Sequence, residues 1–137
     1  MKILVTGGSG YKGSVLIPKL LKLGHKVISI DTQWFGNYLP KHKNLKNIKL
    51  NVNQIKKSDL INVNTIIHLA SIANDPMADL DKNLSWEVSA LGTLRLLDVA
   101  LKANVKRIIY ASSGSVYGIK KEKKVHENLD LNPISLY

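Results

Sequence analysis

Three glycines near the start of the chain have a spacing that suits phosphate binding. Gly7, Gly10 and Gly13 lie in the segment TGGSGYKG, between a short apolar run and a segment of helical periodicity. Glycine at these positions allows a tight turn, close approach of the backbone to a pyrophosphate, and close packing of helix on strand. The start of the helix, with Tyr11 and Lys12, would then offer amides to the anion. A glycine-rich turn without a ligand is the alternative.

A single carboxylate, Asp31, ends the second apolar run. At a strand end it can accept hydrogen bonds from the hydroxyls of an adenosine ribose, and it repels a 2′-phosphate, which favours NAD over NADP. No arginine lies between positions 31 and 40, although Lys41 and Lys43 are close enough to keep NADP open. The alternative is an ordinary turn residue at the end of a strand.

Composition excludes several other chemistries. Cysteine is absent, so disulfides, a thiolate nucleophile and cysteine-ligated zinc are excluded, and the four histidines are too far apart to suggest a metal site. No apolar run is long enough to cross a membrane, so no membrane partner is expected. The chain starts without a signal peptide, and together with the lack of cysteine this predicts a cytoplasmic protein.

The formal net charge of +10 raises the hypothesis of a nucleic-acid-binding protein. Among the 20 basic residues only Arg95 and Arg107 are arginine, whereas base readout relies on the arginine fork. The lysines are spread along the chain, with denser patches at 41–57 and 120–124. We therefore expect a solvated surface and no nucleic-acid partner. A nucleic-acid protein would instead show salt-sensitive binding that ignores NAD.

The elements that must position these residues alternate between strand and helix. Five apolar runs predict strands, at 2–6, 26–30, 48–52, 64–69 and 107–111. Helical periodicity predicts one helix over 11–23 and a longer one from Asp79 or Asp81 to about Ala103. This alternation predicts an α/β fold, a doubly wound Rossmann domain with a parallel sheet in the order 3-2-1-4-5.

Four blocks occur in a fixed order along the chain: the glycine turn, Asp31, the segment HLAS at 68–71 and the segment YASSGSVYG at 110–118. Together they resemble the extended short-chain dehydrogenase/reductase family, in its NAD-dependent epimerase/dehydratase branch. The resemblance spans essentially the whole chain. It implies NAD as cofactor, a nucleotide-sugar substrate and a homodimer at full length. Lys12 departs from the family's usual apolar residue, and Ser89 from the asparagine often found in the long helix.

The same resemblance gives roles to residues at the ends of two further strands. Asn51 and Val52 would contact the adenine ring from the end of the third strand. Leu69, Ala70 and Ser71 would line the ribose and phosphate wall at the end of the fourth. Plain strand packing is the alternative for each of these last three.

Two residues resemble the family's catalytic groups. Ser113 matches the residue that holds a sugar oxygen, with Ser112 and Ser115 as rivals in the same run. Tyr137 would open the YxxxK pair, in which the tyrosine is the acid/base on the substrate hydroxyl while a hydride moves to or from the nicotinamide. An ordinary terminal tyrosine is the alternative.

The partner lysine would fall four residues after Tyr137, beyond this sequence. We therefore interpret residues 1–137 as one incomplete NAD-binding domain, cut before the last strands and before the substrate-binding part of an epimerase or dehydratase. By itself the chain is expected to be inactive, and its uncovered apolar surface predicts marginal stability or self-association. A non-catalytic NAD-binding module and an NAD(P)-dependent sugar or carbonyl reductase are the alternatives.

Overall fold

A computed structural model describes residues 1–135 of the chain, and Tyr137, the predicted catalytic tyrosine, lies outside these described residues. Within residues 1–135 the structure is one parallel sheet flanked by helices. The strands are β1 Lys2–Thr6, β2 Lys26–Asp31, β3 Leu45–Lys49, β4 Thr65–His68 and β5 Arg107–Tyr110. Their spatial order is β3-β2-β1-β4-β5, which confirms the predicted order.

The central strands are apolar on both faces because a helix covers each face. Helix α1, Tyr11–Lys22, packs on one face, where its Ile17 joins Val5 of β1. On the other face Leu96, from the long helical segment after β4, packs against Leu4 and Ile66. Each of these side chains is at most 1% exposed, and burying one such aliphatic side chain stabilises the fold by about 1.5–3 kcal/mol.

The third strand begins and ends earlier than predicted, so the predicted range 48–52 is wrong. Strand β3 pairs with β2 from Leu45 to Lys49, where Lys49 lies opposite Asp31, the last residue of β2. One further bond, from the Leu50 amide to the Asp31 carbonyl, closes the ladder. Beyond it Asn51 accepts a hydrogen bond from the Asn53 amide and turns the chain into a short 3₁₀ turn.

The helical region after β4 is divided where a single helix was predicted. Helix α2, Asp75–Leu80, was missed by the sequence prediction; the Asn74 side chain caps it. Asp81 then caps the next helix, as one of the two predicted alternatives, by accepting from the Leu84 amide at 2.9 Å. That helix runs through α3 Lys82–Ser85, a π-helical segment Trp86–Leu91 and α4 Gly92–Lys102.

None of the helices in residues 1–135 is long and apolar enough to cross a membrane. After β5 the described chain, up to residue 135, contains only one short 3₁₀ turn, Gly114–Tyr117. The polar segment from Gly118 to residue 135 contains no helix or strand.

Candidate functional site

A cleft of about 490 Å³ opens at the carboxyl edge of the sheet. Residues that follow each of the five strands contribute to its walls, which is where ligands bind in this architecture. The structure brings ten of the predicted site residues together in this lining: Gly7, Gly10, Tyr11, Lys12, Asp31, Asn51, Val52, Leu69, Ala70 and Ser71. Gly13 and Ser113 lie outside the lining.

The glycine turn packs so tightly that three of its glycines, Gly7, Gly8 and Gly13, have no room for a side chain. Gly7 has a φ of +69°, and a Cβ there would lie 2.7 Å from the Ala70 amide nitrogen. A Cβ on Gly13 would lie 2.6 Å from the Gly7 carbonyl oxygen. Gly13 therefore shapes the cleft without lining it, because the missing side chain lets α1 pack directly onto the turn.

The amino-terminal end of α1 points free amides at the cleft. Gly10 is its N-cap and has no side chain to accept from the first-turn amides, and that turn carries no acidic residue. The unpaired amides and the helix dipole favour an anion here. Lys12 lines the mouth of the cleft with its side chain exposed, so it adds a positive charge on the solvent side.

Ser9, within the same turn, has a buried hydroxyl with no hydrogen-bond partner among the described residues. It also lines the cleft. A buried polar group without a partner costs about 1–3 kcal/mol, so an acceptor or donor brought by a ligand would be favoured at this point. The glycine turn, the free amides and the Ser9 hydroxyl therefore suit a diphosphate.

Asp31 is held at the end of β2 by two backbone amides. Its Oδ2 accepts from Ser9 at 3.0 Å, and its Oδ1 accepts from Gln33 at 2.6 Å. Each carboxylate oxygen keeps a lone pair for a further donor. The carboxylate is partly exposed in the cleft, so it can accept from a vicinal pair of hydroxyls such as those of a ribose.

Asn51 and Val52 line the cleft, but they do so from the 3₁₀ turn after β3, not from the strand end as predicted. The Asn51 side-chain oxygen accepts from the Asn53 amide at 3.0 Å and keeps one lone pair free. Val52 is only 5% exposed and packs into the core, so it forms part of the floor of the cleft. The turn thus forms an apolar floor with one polar edge.

The wall formed by Leu69, Ala70 and Ser71 follows β4 and is tied to Thr6 at the end of β1. The Leu69 amide donates to the Thr6 carbonyl at 3.1 Å, and the Ala70 amide donates to its hydroxyl at 3.4 Å. Leu69 also packs against the core on the α1 face of the sheet. The wall is therefore rigidly joined to the strand that carries the glycine turn.

Sequence reasoning missed several lining residues. Trp34 and Phe35 follow Asp31 and lie against the cleft with 53% and 73% of their surface exposed. Further along, Ile72, Asn74 and Met77 extend the wall after β4. Two signals in the sequence could have indicated them: an aromatic pair three and four residues after the carboxylate, and an Asn-Asp-Pro run typical of a helix start.

The serines after β5 are arranged differently from one another. Ser112 lines the cleft, and its side chain is exposed. Ser113 caps the following 3₁₀ turn, where its hydroxyl oxygen accepts from the Ser115 amide at 3.1 Å. That bond uses a lone pair and leaves the hydroxyl proton of Ser113 available to a ligand. The role of Ser113 stays a prediction.

The fold and the cleft define the class of protein: a Rossmann domain with a dinucleotide-type site at the glycine turn. The model of the NAD dependent epimerase/dehydratase family matches residues 3–137, and the chain belongs to that family. The family's description confirms the predicted cofactor class.

Known relatives share the fold over the whole chain. A putative UDP-glucose 4-epimerase of Methanocaldococcus jannaschii is 31% identical over 139 aligned residues, covering 98% of this chain and 46% of that protein. The UDP-N-acetylglucosamine 4-epimerase of Methanobrevibacter ruminantium, solved with UDP-N-acetylmuramic acid, has a TM-score of 0.91 at 28% identity, covering 99% of this chain and 45% of that one.

The dTDP-glucose 4,6-dehydratase DesIV of Streptomyces venezuelae, solved with NAD, gives a TM-score of 0.91 at 25% identity. All of this chain and 47% of that one are covered. The chain thus spans less than half the length of the relatives it matches.

Proposed function

We propose that the chain is the cofactor-binding N-terminal part of an NAD-dependent nucleotide-sugar epimerase or dehydratase. The observation that supports this most directly is the pairing of two features in one cleft. One is a glycine turn with free helix amides, and the other is the Asp31 carboxylate held beside it by the Ser9 amide. The first suits a diphosphate and the second suits an adenosine ribose.

In this proposal each part of the cleft binds a different part of the dinucleotide. The turn from Gly7 to Gly13 and the amides that open α1 hold the pyrophosphate, and Asp31 accepts from the adenosine ribose. The 3₁₀ turn with Asn51 and Val52 lies against the adenine. Leu69, Ala70 and Ser71 line the wall beside the ribose and phosphates of the cofactor. When bound, NAD supplies reversible hydride acceptance.

The acid/base groups belong to the same proposal. Tyr137 takes the proton from a sugar hydroxyl as that carbon is oxidised and returns it in the reverse direction. A phenol has an ordinary pKa of about 10, so this role needs a nearby cation, which a lysine four residues later would supply. Ser113 donates its free hydroxyl proton to the sugar oxygen and orients it.

The substrate class is a nucleotide sugar, and this rests on the relatives' substrates. The epimerase and the dehydratase described above act on UDP- and dTDP-linked sugars, and both match this chain over at least 99% of its length. We also propose a homodimer for the complete polypeptide, because α4 carries exposed leucines that a partner could cover: Leu94 is 62% and Leu101 is 76% exposed.

A second candidate is a non-catalytic NAD-binding module. One observation favours it: the cofactor half of the cleft is fully lined, whereas Ser113 lies outside the lining. Such a module would bind NAD but would turn over no sugar. It shares the cofactor site with the first candidate, so NAD binding alone does not separate the two.

The test has two stages. Calorimetry with NAD on the 137-residue chain is expected to show one site, and a complete lack of binding would contradict both candidates. Next, the polypeptide that the natural gene encodes around this chain is assayed for NAD-dependent conversion of UDP- and dTDP-sugars. Epimerisation or dehydration supports the enzyme. Bound NAD without turnover of any sugar, and without a lysine four residues after Tyr137, would favour the module.

A further inference from the structure

A chain of hydrogen bonds crosses the sheet beneath the cleft, and His68 is at its centre. His68 ends β4 and lies in register with Thr6, the last residue of β1. Its Nδ1 is 2.5 Å from the Thr6 hydroxyl, and its Nε2 is 2.9 Å from the hydroxyl of Thr93 on α4. One imidazole therefore joins two strands and the helix that covers them.

The positions of the protons in this series of hydrogen bonds follow from the number of donors that each group has. The Thr93 hydroxyl has one proton, and it donates it to the Ser89 carbonyl at 2.6 Å. Towards His68 the Thr93 oxygen must then accept, so Nε2 carries the hydrogen. In the neutral ring Nδ1 is consequently an acceptor. The Thr6 hydroxyl donates its proton to Nδ1, and the Thr6 hydroxyl oxygen accepts a hydrogen bond from the Ala70 amide.

The ring is enclosed, and this keeps it neutral. His68 is 1% exposed, and burial lowers its pKa from the ordinary 6.5 to about 4. Its titratable neighbour is Tyr110 of β5, whose ring centroid lies 5.6 Å away, while its hydrogen-bond partners from β1 and α4 are uncharged hydroxyls. At neutral pH the imidazole is thus one fixed tautomer with both nitrogens used.

Both ends of this series of hydrogen bonds reach the wall of the cleft. At one end Thr6 accepts the Ala70 amide, and a Cβ on Gly7 would meet that same amide. At the other end Ser89 has a second contact, because its hydroxyl oxygen accepts the Ile72 amide at 3.1 Å. Ser89 lies in the π-helical segment, a helix irregularity that is frequent at functional sites.

We propose that His68 is a positioning residue: as the neutral Nε2–H tautomer it links Thr6 to Thr93, and so it holds the wall at 69–72 at the distance from the glycine turn that the dinucleotide requires. This rests on the proposed NAD site. His68 does not line the cleft, so its effect on the cofactor passes through the Ala70 and Ile72 amides. On the helix side, Ser89 connects Thr93 to the wall, because its carbonyl accepts from Thr93 and its hydroxyl oxygen accepts from the Ile72 amide.

The test uses isosteric hydroxyl removal. Thr93→Val keeps the shape of the side chain and removes the acceptor of the Nε2 hydrogen. Thr65→Val is the matched control, since Thr65 is a buried threonine on β4 outside the hydrogen-bond chain. NAD affinity is measured by calorimetry, folding by urea titration, and the protonation of His68 by ¹⁵N spectra of histidine-labelled protein.

The wild-type spectrum at pH 7 should show a protonated Nε2 and an unprotonated Nδ1. Thr93→Val should weaken NAD binding about three- to tenfold, the effect of one net hydrogen bond, and shift the His68 ring nitrogens. Thr65→Val should leave the affinity and the ring signals unchanged. His68→Gln, which keeps a donor for Thr93, should retain more affinity than His68→Phe.

The outcomes separate the two proposals. If the wild-type chain does not bind NAD, the proposed function fails and this inference fails with it. If the wild type binds and Thr93→Val binds equally well, only the role of His68 is overturned. A wild-type ring protonated on Nδ1 would overturn it as well, because the donor assignment would then be wrong. Equal losses in Thr93→Val and Thr65→Val would indicate a general effect on folding and would also overturn it.

Discussion

The amide of Ser9 donates a 3.0 Å hydrogen bond to the carboxylate of Asp31 and so joins the glycine turn to the end of β2. The two halves of the proposed cofactor site are therefore built as one unit before any ligand arrives. Asp31 keeps its orientation because a second amide, that of Gln33, holds its other oxygen. Preorganisation of this kind lowers the entropic cost of binding a ligand.

Asp31→Asn is expected to weaken NAD binding about tenfold or more, because charge-assisted bonds are worth about 1.5–3 kcal/mol. Binding of NADP should fall less, since the substitution also removes the repulsion of a 2′-phosphate. Calorimetry with both cofactors gives the NAD/NADP affinity ratio. Asp59→Asn is the matched control: Asp59 also accepts a backbone amide but lies outside the cleft. An unchanged NAD/NADP affinity ratio in Asp31→Asn would contradict the proposal that Asp31 binds the adenosine ribose.

Gly13→Ala is expected to destabilise the chain by about 1–3 kcal/mol. Alanine favours a helix interior by about 1 kcal/mol over glycine, but here its Cβ would lie 2.6 Å from the Gly7 carbonyl oxygen, so overpacking outweighs propensity. NAD binding should be lost as the turn shifts. Gly114→Ala is the control, since nothing lies within 4 Å of its added Cβ. Urea titration and calorimetry compare them; equal stability would contradict the packing argument.

The two serines after β5 can be separated by activity in the complete polypeptide. If Ser113 orients the sugar, Ser113→Ala should lower kcat by about tenfold or more, the effect of one hydrogen bond to a developing charge, while NAD affinity stays unchanged. Ser112→Ala serves as the comparison, because Ser112 lines the cleft in this structure. A larger loss of kcat in Ser112→Ala would move the assignment to Ser112.

The alternation of strands and helices and the glycine turn could be predicted from the sequence because both depend on local patterns, and the strand order follows from the doubly wound fold that this alternation predicts. Apolar runs mark buried strands, and glycines mark a turn that admits no Cβ. The third strand was misplaced because it is an edge strand with few apolar residues, so its limits are set by pairing with β2, whose last residue is Asp31. Pairing of this kind is not visible in a one-dimensional pattern.

The hydrogen-bond chain around His68 could not be predicted for a related reason. Thr6 and His68 are 62 positions apart, and His68 and Thr93 are 25 apart. Only the register of β1 on β4 brings the first pair together, and only the packing of α4 brings the second. The importance of Ser89 was hidden in the same way, because its hydroxyl meets a loop amide from another element.

Exposed leucines on α4 predict self-association of the 137-residue chain. Leu94 and Leu101 are 62% and 76% exposed, and on β5 Ile109 and Tyr110 are about half exposed, at 48% and 54%. The net charge of +10 opposes association, so raising the salt should strengthen it by screening. Sedimentation velocity should show dimers or larger species at tens of micromolar.

The double variant Leu94→Lys and Leu101→Lys should shift the chain toward monomer without loss of helix, since lysine is a good helix former. Leu23→Lys is the control, because Leu23 is 72% exposed at the end of α1, on the other side of the sheet. A wild-type chain that stays monomeric in both low and high salt would contradict the prediction.

Acid should destabilise the fold through His68. Burial lowers its pKa to about 4 in the folded chain, against 6.5 as the ordinary value. Between these pH values the unfolded chain binds a proton that the folded chain does not, so the free energy of unfolding falls as the pH falls from 6.5 to 4. The full loss is about 3 kcal/mol, at about 1.4 kcal/mol per pH unit.

Urea titrations at several pH values measure this loss, and the variant His68→Gln isolates the contribution of His68 to it. The variant should be less stable than the wild type at pH 7, and the difference between them should shrink toward pH 4, because only the wild type carries the buried imidazole. His126→Gln, on the exposed loop, should follow the wild-type curve. Parallel curves for wild type and His68→Gln would mean that His68 takes up its proton without cost, and the neutral buried ring assigned here would be wrong.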